Sequence, residues 1–465
     1  MRRFLYTIIF FFIVLSSFSQ RTSYFRRVFV DAEYYLLYED FREALPLYQE
    51  LHNSFPDNAN IAYRIALCYL NTPNDKHKSI PFFEQALQSV TNSYKEGYFT
   101  ETQAPKEVYL HYGRALRITN DFEKATAAFE KYSGLIIDDE KENKQLVNHE
   151  FKAIAYAKEL MKNPIDIKFT SVGKTVNSRF AEINPVVSTD NQTMVYTSVQ
   201  QFYNAIQMST KRAGVWTHPI NINSQMFADG AIATVGISPD GTKLLLSRND
   251  NDIYNLYTST LDTAKNTWGV LSKLPKEINT RSWENYAAFS PTCDTIYYSS
   301  NQSGGMGGFD IYMSIETADG WTPGVNLGPS VNTPYDEIAP TLSYDGKKLF
   351  FSSTGHQTMG GFDIFVSELR GGKWTKPKNM GYPLNTTDDD VFFYPIGDGS
   401  MGYISRFMPQ SQGDNDIYLV DFKNVSKSQD KSTDKVNGKS EATLKHNNSS
   451  PLKPTSQKPI TLVIP

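Results

Sequence analysis

Residues Tyr335–Thr387 read YDEIAPTLSYDGKKLFFSSTGHQTMGGFDIFVSELRGGKWTKPKNMGYPLNTT. Three short β-prone runs and a fourth led by Trp374 are separated by Asp345-Gly346, Gly360-Gly361 and Gly371-Gly372-Lys373 turns. The position held by Asp345 recurs at Asp190, Asp240, Thr292 and Asp398, at spacings of 50, 52, 53 and 53 residues. Asp363, which opens the third run, recurs as Asn204, Asn255, Asp310 and Asp416, and Trp374 recurs as Trp216, Trp268 and Trp321. The closing Asn385-Thr386 pair recurs at Asn177, Asn223, Asn279 and Asn332. Four markers in phase over half the chain define a repeat. A period of roughly 40–50 residues with four strands in each unit predicts the blades of a β-propeller.

The chain has 465 residues, 21% charged and 13% aromatic, with a formal net charge of −4. That length accommodates about three domains. The composition is globular, and the charge gives no electrostatic reason to expect a nucleic-acid partner.

Residues 1–20 (MRRFLYTIIFFFIVLSSFSQ) read as a targeting segment. Arg2 and Arg3 precede an apolar run from Phe4 to Leu15, and Ser17-Phe18-Ser19 supplies small residues for cleavage. The run is shorter than the ~20 residues a membrane-spanning helix needs, so a mature chain beginning near Gln20, with no transmembrane span, is expected. The first cysteine is Cys68, which leaves no lipidation site after the run. Cys68 and Cys293 fall in different predicted domains and are expected to be buried free thiols.

From Tyr24 to Lys162 the apolar period changes from two to 3.6 residues. FREALPLYQELHNSFPDN sets Ala44, Tyr48 and Leu51 on one face and stops before Pro56. DFEKATAAFEKY repeats that spacing with Phe122, Ala125, Phe129 and Tyr132, and VYLHYGRAL brings Gly113 to a close helix crossing. IAYRIALCYL and IPFFEQAL form the middle copy, with an insertion at Thr72–Lys78. Residues 24–162 thus resemble tetratricopeptide repeats, three helical pairs of ~34 residues, with Phe151–Met161 as the capping helix.

Asn163-Pro164 ends the helical region, and the propeller is predicted over 165–423. Five blades are counted, with six as the alternative. The fold class is therefore α+β multidomain: a helical solenoid followed by an all-β propeller. The last blade lacks a Trp-led outer strand, while IDIKFTSVGKTVNS reaches Asn177-Ser178 before any inner strand appears. The first strand is expected to complete the last blade and close the ring. Residues 424–465 read as a polar, disordered tail ending in ITLVIP.

The seven histidines form no H-E-x-x-H or paired ligand spacing, and no C-x-x-C or G-x-S-x-G occurs. No catalytic residue, metal site or cofactor is expected. Gly304-Gly305-Met306-Gly307-Gly308 precedes a strand rather than a helix, which makes it a hairpin turn and not a phosphate cradle. The Asp/Asn series at 204, 255, 310, 363 and 416 is expected to bond local backbone N–H groups. Eight residues before each turn position stand Glu182, Ile232, Glu284, Glu337 and Asp390. Glu182, Glu284, Glu337 and Asp390 would then start inner strands near the mouth of the central channel. Two readings stand: each carboxylate bonds the neighbouring blade's backbone, or the four form a ring for a cationic ligand such as a basic peptide or a metal ion.

SYDGKKLFFSS, MGGFDIF, GGMGGFDIY and the Trp–Pro–Asn–Gly–Asn-Thr run resemble the WD40-like PD40 repeats of envelope proteins. Signal peptide, tetratricopeptide repeats and PD40 propeller, in that order, resemble outer-membrane-associated proteins of Bacteroidota. Several of those continue into an OmpA-like peptidoglycan-binding domain, and some work with gliding motility or type IX secretion. Here about 40 polar residues follow the propeller instead. The resemblance implies a non-enzymatic, exported protein–protein interaction scaffold in the periplasm, peripherally associated with the outer membrane. Its partners would be envelope proteins, held by the repeat groove and the propeller face, and no nucleic acid. A ligand- or glycan-binding sensor propeller is the alternative.

Overall fold

The computed structural model describes residues 21–137 and 139–422. The stretches read as a targeting segment and as a polar tail lie outside the described residues. The chain divides into two compact units, with the boundary between Lys158 and Glu159.

The first unit is helical: α1 (21–37), α2 (Phe41–Ser54), α3 (Ala59–Leu70), α4 (Ser79–Ala86), α5 (Val108–Ile118), α6 (Phe122–Ser133) and α7 (Lys141–Lys162). Asp40, Asn58 and Asp121 cap α2, α3 and α6, each side chain accepting a backbone N–H three residues on. Ala44, Tyr48 and Leu51 are buried as their spacing predicts. Glycine at 113 is required because a Cβ there would enter the Phe129 ring of α6. The final helix is longer than the expected Phe151–Met161. Its first turns (KENKQ) are polar, mostly strong helix formers without apolar periodicity, and its buried stripe includes Glu150. That carboxylate pairs with Arg114 (2.7 Å) and Arg117 (3.2 Å) of α5, so a polar residue occupies a core position. A second insertion, 88–107, joins α4 to α5 through a small parallel bridge between Val90–Thr91 and Ala104–Pro105. It lies across α1 and α3: Tyr94 donates to Asn60 Oδ1 (2.6 Å), and the Phe99 ring packs edge-on against Phe29.

The second unit is a five-bladed propeller. Blade one has strands Ala181–Val187, Thr193–Val199 and Asn204–Arg212; blade two has Ile232–Ile237, Lys243–Asn249 and Tyr254–Asp262. Blade three has Glu284–Phe289, Thr295–Ser300 and Asp310–Thr317; blade four has Glu337–Leu342, Lys348–Ser353 and Asp363–Arg370. Each of the four ends in a short outer strand holding Trp216, Trp268, Trp321 or Trp374. Blade five has Tyr394–Ile396, Met401–Arg406 and Asp416–Asp421, and its outer strand is Lys168–Ser171 from the front of the unit. Lys168 pairs with Asp421 and Ser171 with Tyr418, so the ring closes without a covalent link. Inner strands neighbour one another in succession, and that of blade five returns to blade one. Five blades, not six, complete the circle.

The inner turns show why Asp recurs. Asp190, Asp240 and Asp345 each accept the hydroxyl of a serine two residues earlier and the N–H two residues later. In blade three Thr292 replaces the Asp, Cys293 takes the left-handed position at φ 57, and Asp294 accepts from Ser290 (2.9 Å). Cys293 is consequently half-buried rather than buried, whereas Cys68 is enclosed in the helical core; both are free thiols.

Candidate functional site

Every inner strand starts at one face of the propeller, together with the loops joining second to third strands and those joining successive blades. The acidic series stands there. Glu337 accepts the N–H (2.7 Å) and hydroxyl (2.8 Å) of Thr333, and the Ser353 hydroxyl (2.6 Å). Glu284 repeats this with Thr280 (3.0 and 2.7 Å) and Ser300 (2.7 Å). Glu182 does so with Ser178 (2.9 and 2.5 Å) and Ser198 (3.4 Å). Asp390 accepts from the N–H and hydroxyl of Thr386, and the Arg406 guanidinium takes the place of the serine. Each Ser or Thr directly follows the closing Asn of the preceding blade. Asn332 itself pairs both backbone groups of Ile311 on that blade's third strand (2.8 and 2.9 Å). The carboxylate and the Asn amide therefore act as two halves of a clasp across the blade seam.

All four carboxylates are buried. Burial pushes Glu182 and Glu337 up to about 7 and Asp390 up to about 6, against the lowering effect of their hydrogen bonds and, for Asp390, of Arg406. Glu284 is raised by the same cause. Each takes one partner from the blade seam and a second from the middle strand of its own blade, and among the described residues no three His, Cys, Asp or Glu side chains stand in a metal-holding cluster.

The second series is also local. Asp310, Asp363 and Asp416 accept backbone N–H groups four residues earlier, from Met306, Met359 and Gln412, and fold the loop back onto the third strand. The Gly304–Gly308 stretch is the corresponding hairpin loop. A Cβ at Gly307 would collide with the Tyr335 carbonyl oxygen.

The seam between blades one and two departs from this plan. Asn223 still binds the third strand of blade one, through Ile206 N–H (2.7 Å) and Asn204 O (2.9 Å). The next acid is missing: Ile232 opens the inner strand, and Arg248 stands opposite it. The chain from 223 forms a short helix, Asn223–Met226, ended by Phe227 in the left-handed conformation at φ 53. That conformation is unfavourable for a bulky residue, and yet Phe227 is 77% exposed. Phe202, in the neighbouring loop, is 87% exposed, and Tyr203 and Ile253 are also exposed. The loops pack closely, since a Cβ at Gly230 would lie 2.6 Å from Tyr203 Cβ. Beside them is a small cavity of about 120 Å3, lined by Asn204, Ala231, Ile232, Ala233, Ser247, Asn249 and Tyr254.

Sequence reasoning grouped Asn204 and Ile232 with their series but missed this pocket. A signal was present: four residues separate Ser178, Thr280, Thr333 and Thr386 from the following acid, whereas eight separate Ser224 from Ile232. At the opposite face, Val187, Ile237, Phe289, Leu342 and Ile396 end the five inner strands and form an apolar collar around the channel.

No family model matches the chain, and no curated protein matches it. The chain is similar to solved propellers. Structurally it is a five-bladed propeller with TolB-like neighbours. TolB from Acinetobacter baumannii aligns at TM-score 0.35 and 17% identity, over 53% of this chain and 56% of that one. This chain thus spans little more than half of that protein's length. A putative TolB from Agrobacterium tumefaciens aligns at TM-score 0.34 and 16% identity, over 52% and 76% of the two chains. An alpha-L-arabinofuranosidase from Podospora anserina aligns at 0.36 and 13%, over 55% and 97%.

Proposed function

We propose that this protein is a non-enzymatic interaction scaffold on the periplasmic side of the outer membrane, an accessory of an envelope complex of the type IX secretion or gliding kind. One observation carries this reading. The loop face of the propeller exposes Phe202, Tyr203, Phe227, Ile253, Met306 and Phe407 together, where a single exposed apolar residue would be unremarkable in a soluble protein. Aromatic side chains of that kind are enriched at protein–protein contacts. The acidic residues nearest to that face are engaged in blade seams, which supports a rigid disc over a reactive centre.

The helical unit would hold a second partner. Its first described helix, α1, leaves Val30, Tyr34 and Leu37 exposed at helical spacing, with Tyr38 exposed just past its end. The reading of 1–20 as a targeting segment supports export, and no described helix is long and apolar enough to cross a membrane.

The test is a photo-reactive amino acid placed at Phe202 or Phe227 in the producing cells, with Val215 at the other end of blade one as the exposed control. Discrete adducts with the same protein are expected from the two loop positions and not from the control. Equal labelling at all three positions would contradict the proposal.

A further inference from the structure

The two ends of the helical unit differ in surface. Stacked helical pairs bury each repeat against its neighbours, so a terminal repeat needs a polar outer face to remain soluble. At the far end α7 supplies one: Lys141, Gln145, Asn148, Lys152 and Glu159 are exposed, and no large apolar side chain of that helix is. At the near end α1 does not. Phe25, Val28, Phe29 and Ala32 of α1 pack into the core. On the opposite side stand Val30, Tyr34 and Leu37, with Tyr38 just past the helix end, each more than half exposed. The rings of Tyr34 and Tyr38 lie 4.8 Å apart, which makes the stripe continuous. A helix that is apolar on both faces is one covered on both.

Charge identifies the cover. Before the stripe, Arg21, Arg26 and Arg27 are exposed; after it come half-buried Glu39 and exposed Asp40 and Glu43. The face is thus basic at one end, apolar in the middle and acidic at the other. Such a pattern is complementary to itself when reversed. A second α1 laid antiparallel, with a two-fold axis between Val30 and Tyr34, sets the Val30 of each copy against the Tyr34 of the other. Arg26 and Arg27 then lie over Leu37 and Tyr38 of the second copy, their stems on its apolar surface and their guanidiniums within reach of its Glu39 and Asp40. The two helix dipoles also oppose each other in that arrangement. A parallel pair would instead set arginine against arginine. From Arg27 to Tyr38 the stripe runs about three turns, roughly 16 Å. Contact of that length falls in the smallest class of specific interfaces, below about 1,200 Å2, so the association is weak and depends on concentration.

We infer that the outer face of α1 binds the same face of a second copy of this chain, antiparallel about a two-fold axis. The contact is isologous, so it closes on itself as a dimer and leaves no open end for further copies. This inference rests on the reading of the helical unit as an interaction module and names its partner. Each assembly then carries two propellers, and an envelope partner with two attachment points is held by avidity.

The test is sedimentation velocity on the full chain purified from the producing cells, over a hundredfold range of concentration at physiological salt. Dimer should grow at the expense of monomer as concentration rises. Tyr34→Ser combined with Leu37→Ser should weaken the association tenfold or more, and so should Arg26→Glu combined with Arg27→Glu. All four side chains are exposed, so the melting temperature of the dilute protein should change little. Lys152→Ser, on the outer face of α7, should leave association unchanged. A monomer at every concentration would overturn the inference, as would a dimer that persists undiminished in both double variants. A monomeric wild type that cross-links through Tyr34 to a different protein would assign the face to that protein, and self-association fails. The propeller loop face is judged separately, by adducts at Phe202 and Phe227. A monomeric chain that still forms those adducts overturns this inference alone.

Discussion

Glu337 opens blade four and Thr333 follows the closing Asn of blade three, and the carboxylate of the first takes both the N–H and the hydroxyl of the second, at 2.7 and 2.8 Å. Neither residue belongs to a site in the usual sense. Together they lock two blades, and the same pairing at three other seams makes the ring one mechanical body.

Removing Glu337 should therefore act through Thr333. Glu337→Ala leaves a buried N–H and two hydroxyls without their acceptor, at about 1–3 kcal/mol for each unsatisfied group. Glu337→Gln retains an acceptor for Thr333 and should cost less than half as much. Urea unfolding of Glu337→Ala, Thr333→Ala and the double variant should show coupling above about 0.5 kcal/mol. Additive effects would mean that the two residues act independently.

The raised carboxylates give a pH signature with a definite sign. A carboxyl whose folded pKa lies above its unfolded value binds more protons in the native state, so its contribution favours folding at low pH and is lost as pH rises. Glu182 and Glu337 at about 7 and Asp390 at about 6 place that loss between about pH 4.5 and 7.5. The melting temperature should decline across that interval. Replacing Glu182 and Glu337 together by Gln should flatten the decline, as differential scanning calorimetry at half-unit pH steps would show.

Ring closure depends on a pairing across 240 residues. The Asn177 side chain donates to the Ile417 carbonyl (3.1 Å) and accepts the Ile417 N–H (2.9 Å). Asn177→Ala should cost about 2–4 kcal/mol for two buried bonds. Hydrogen exchange should accelerate at Ile417 and across Lys168–Ser171 before it does so in blade three. Uniform acceleration over all blades would show that the seam opens only with global unfolding.

Much of this was legible in the residues. The phase of Asp, Trp and Asn-Thr markers placed every blade, and the orphaned Asn177-Ser178 pair identified the closing strand. The acid series was legible as a series, but not its direction. Period-two alternation assigns Glu337 to a strand without saying that the preceding loop brings Thr333 within reach. The constant four-residue interval from Ser or Thr to acid carried that information, and the eight-residue interval at Ser224–Ile232 marked the exceptional seam. In the helical unit, burial of Glu150 against Arg114 and Arg117 concealed the first half of α7 from an apolar count. The 88–107 insertion, held by Tyr94 and Phe99, breaks the repeat period and escaped notice for that reason.

The account stands most directly on the exposed loop face of blades one and two. Phe202→Ser and Phe227→Ser combined remove two solvent-facing rings that bury little in the fold, so the melting temperature should change little. Affinity purification after cross-linking in the producing cells, wild type beside the double variant, is the decisive measurement. The account predicts a stoichiometric partner protein with the wild type and its loss from the variant at unchanged melting temperature. Equal recovery of that partner with both proteins would contradict it.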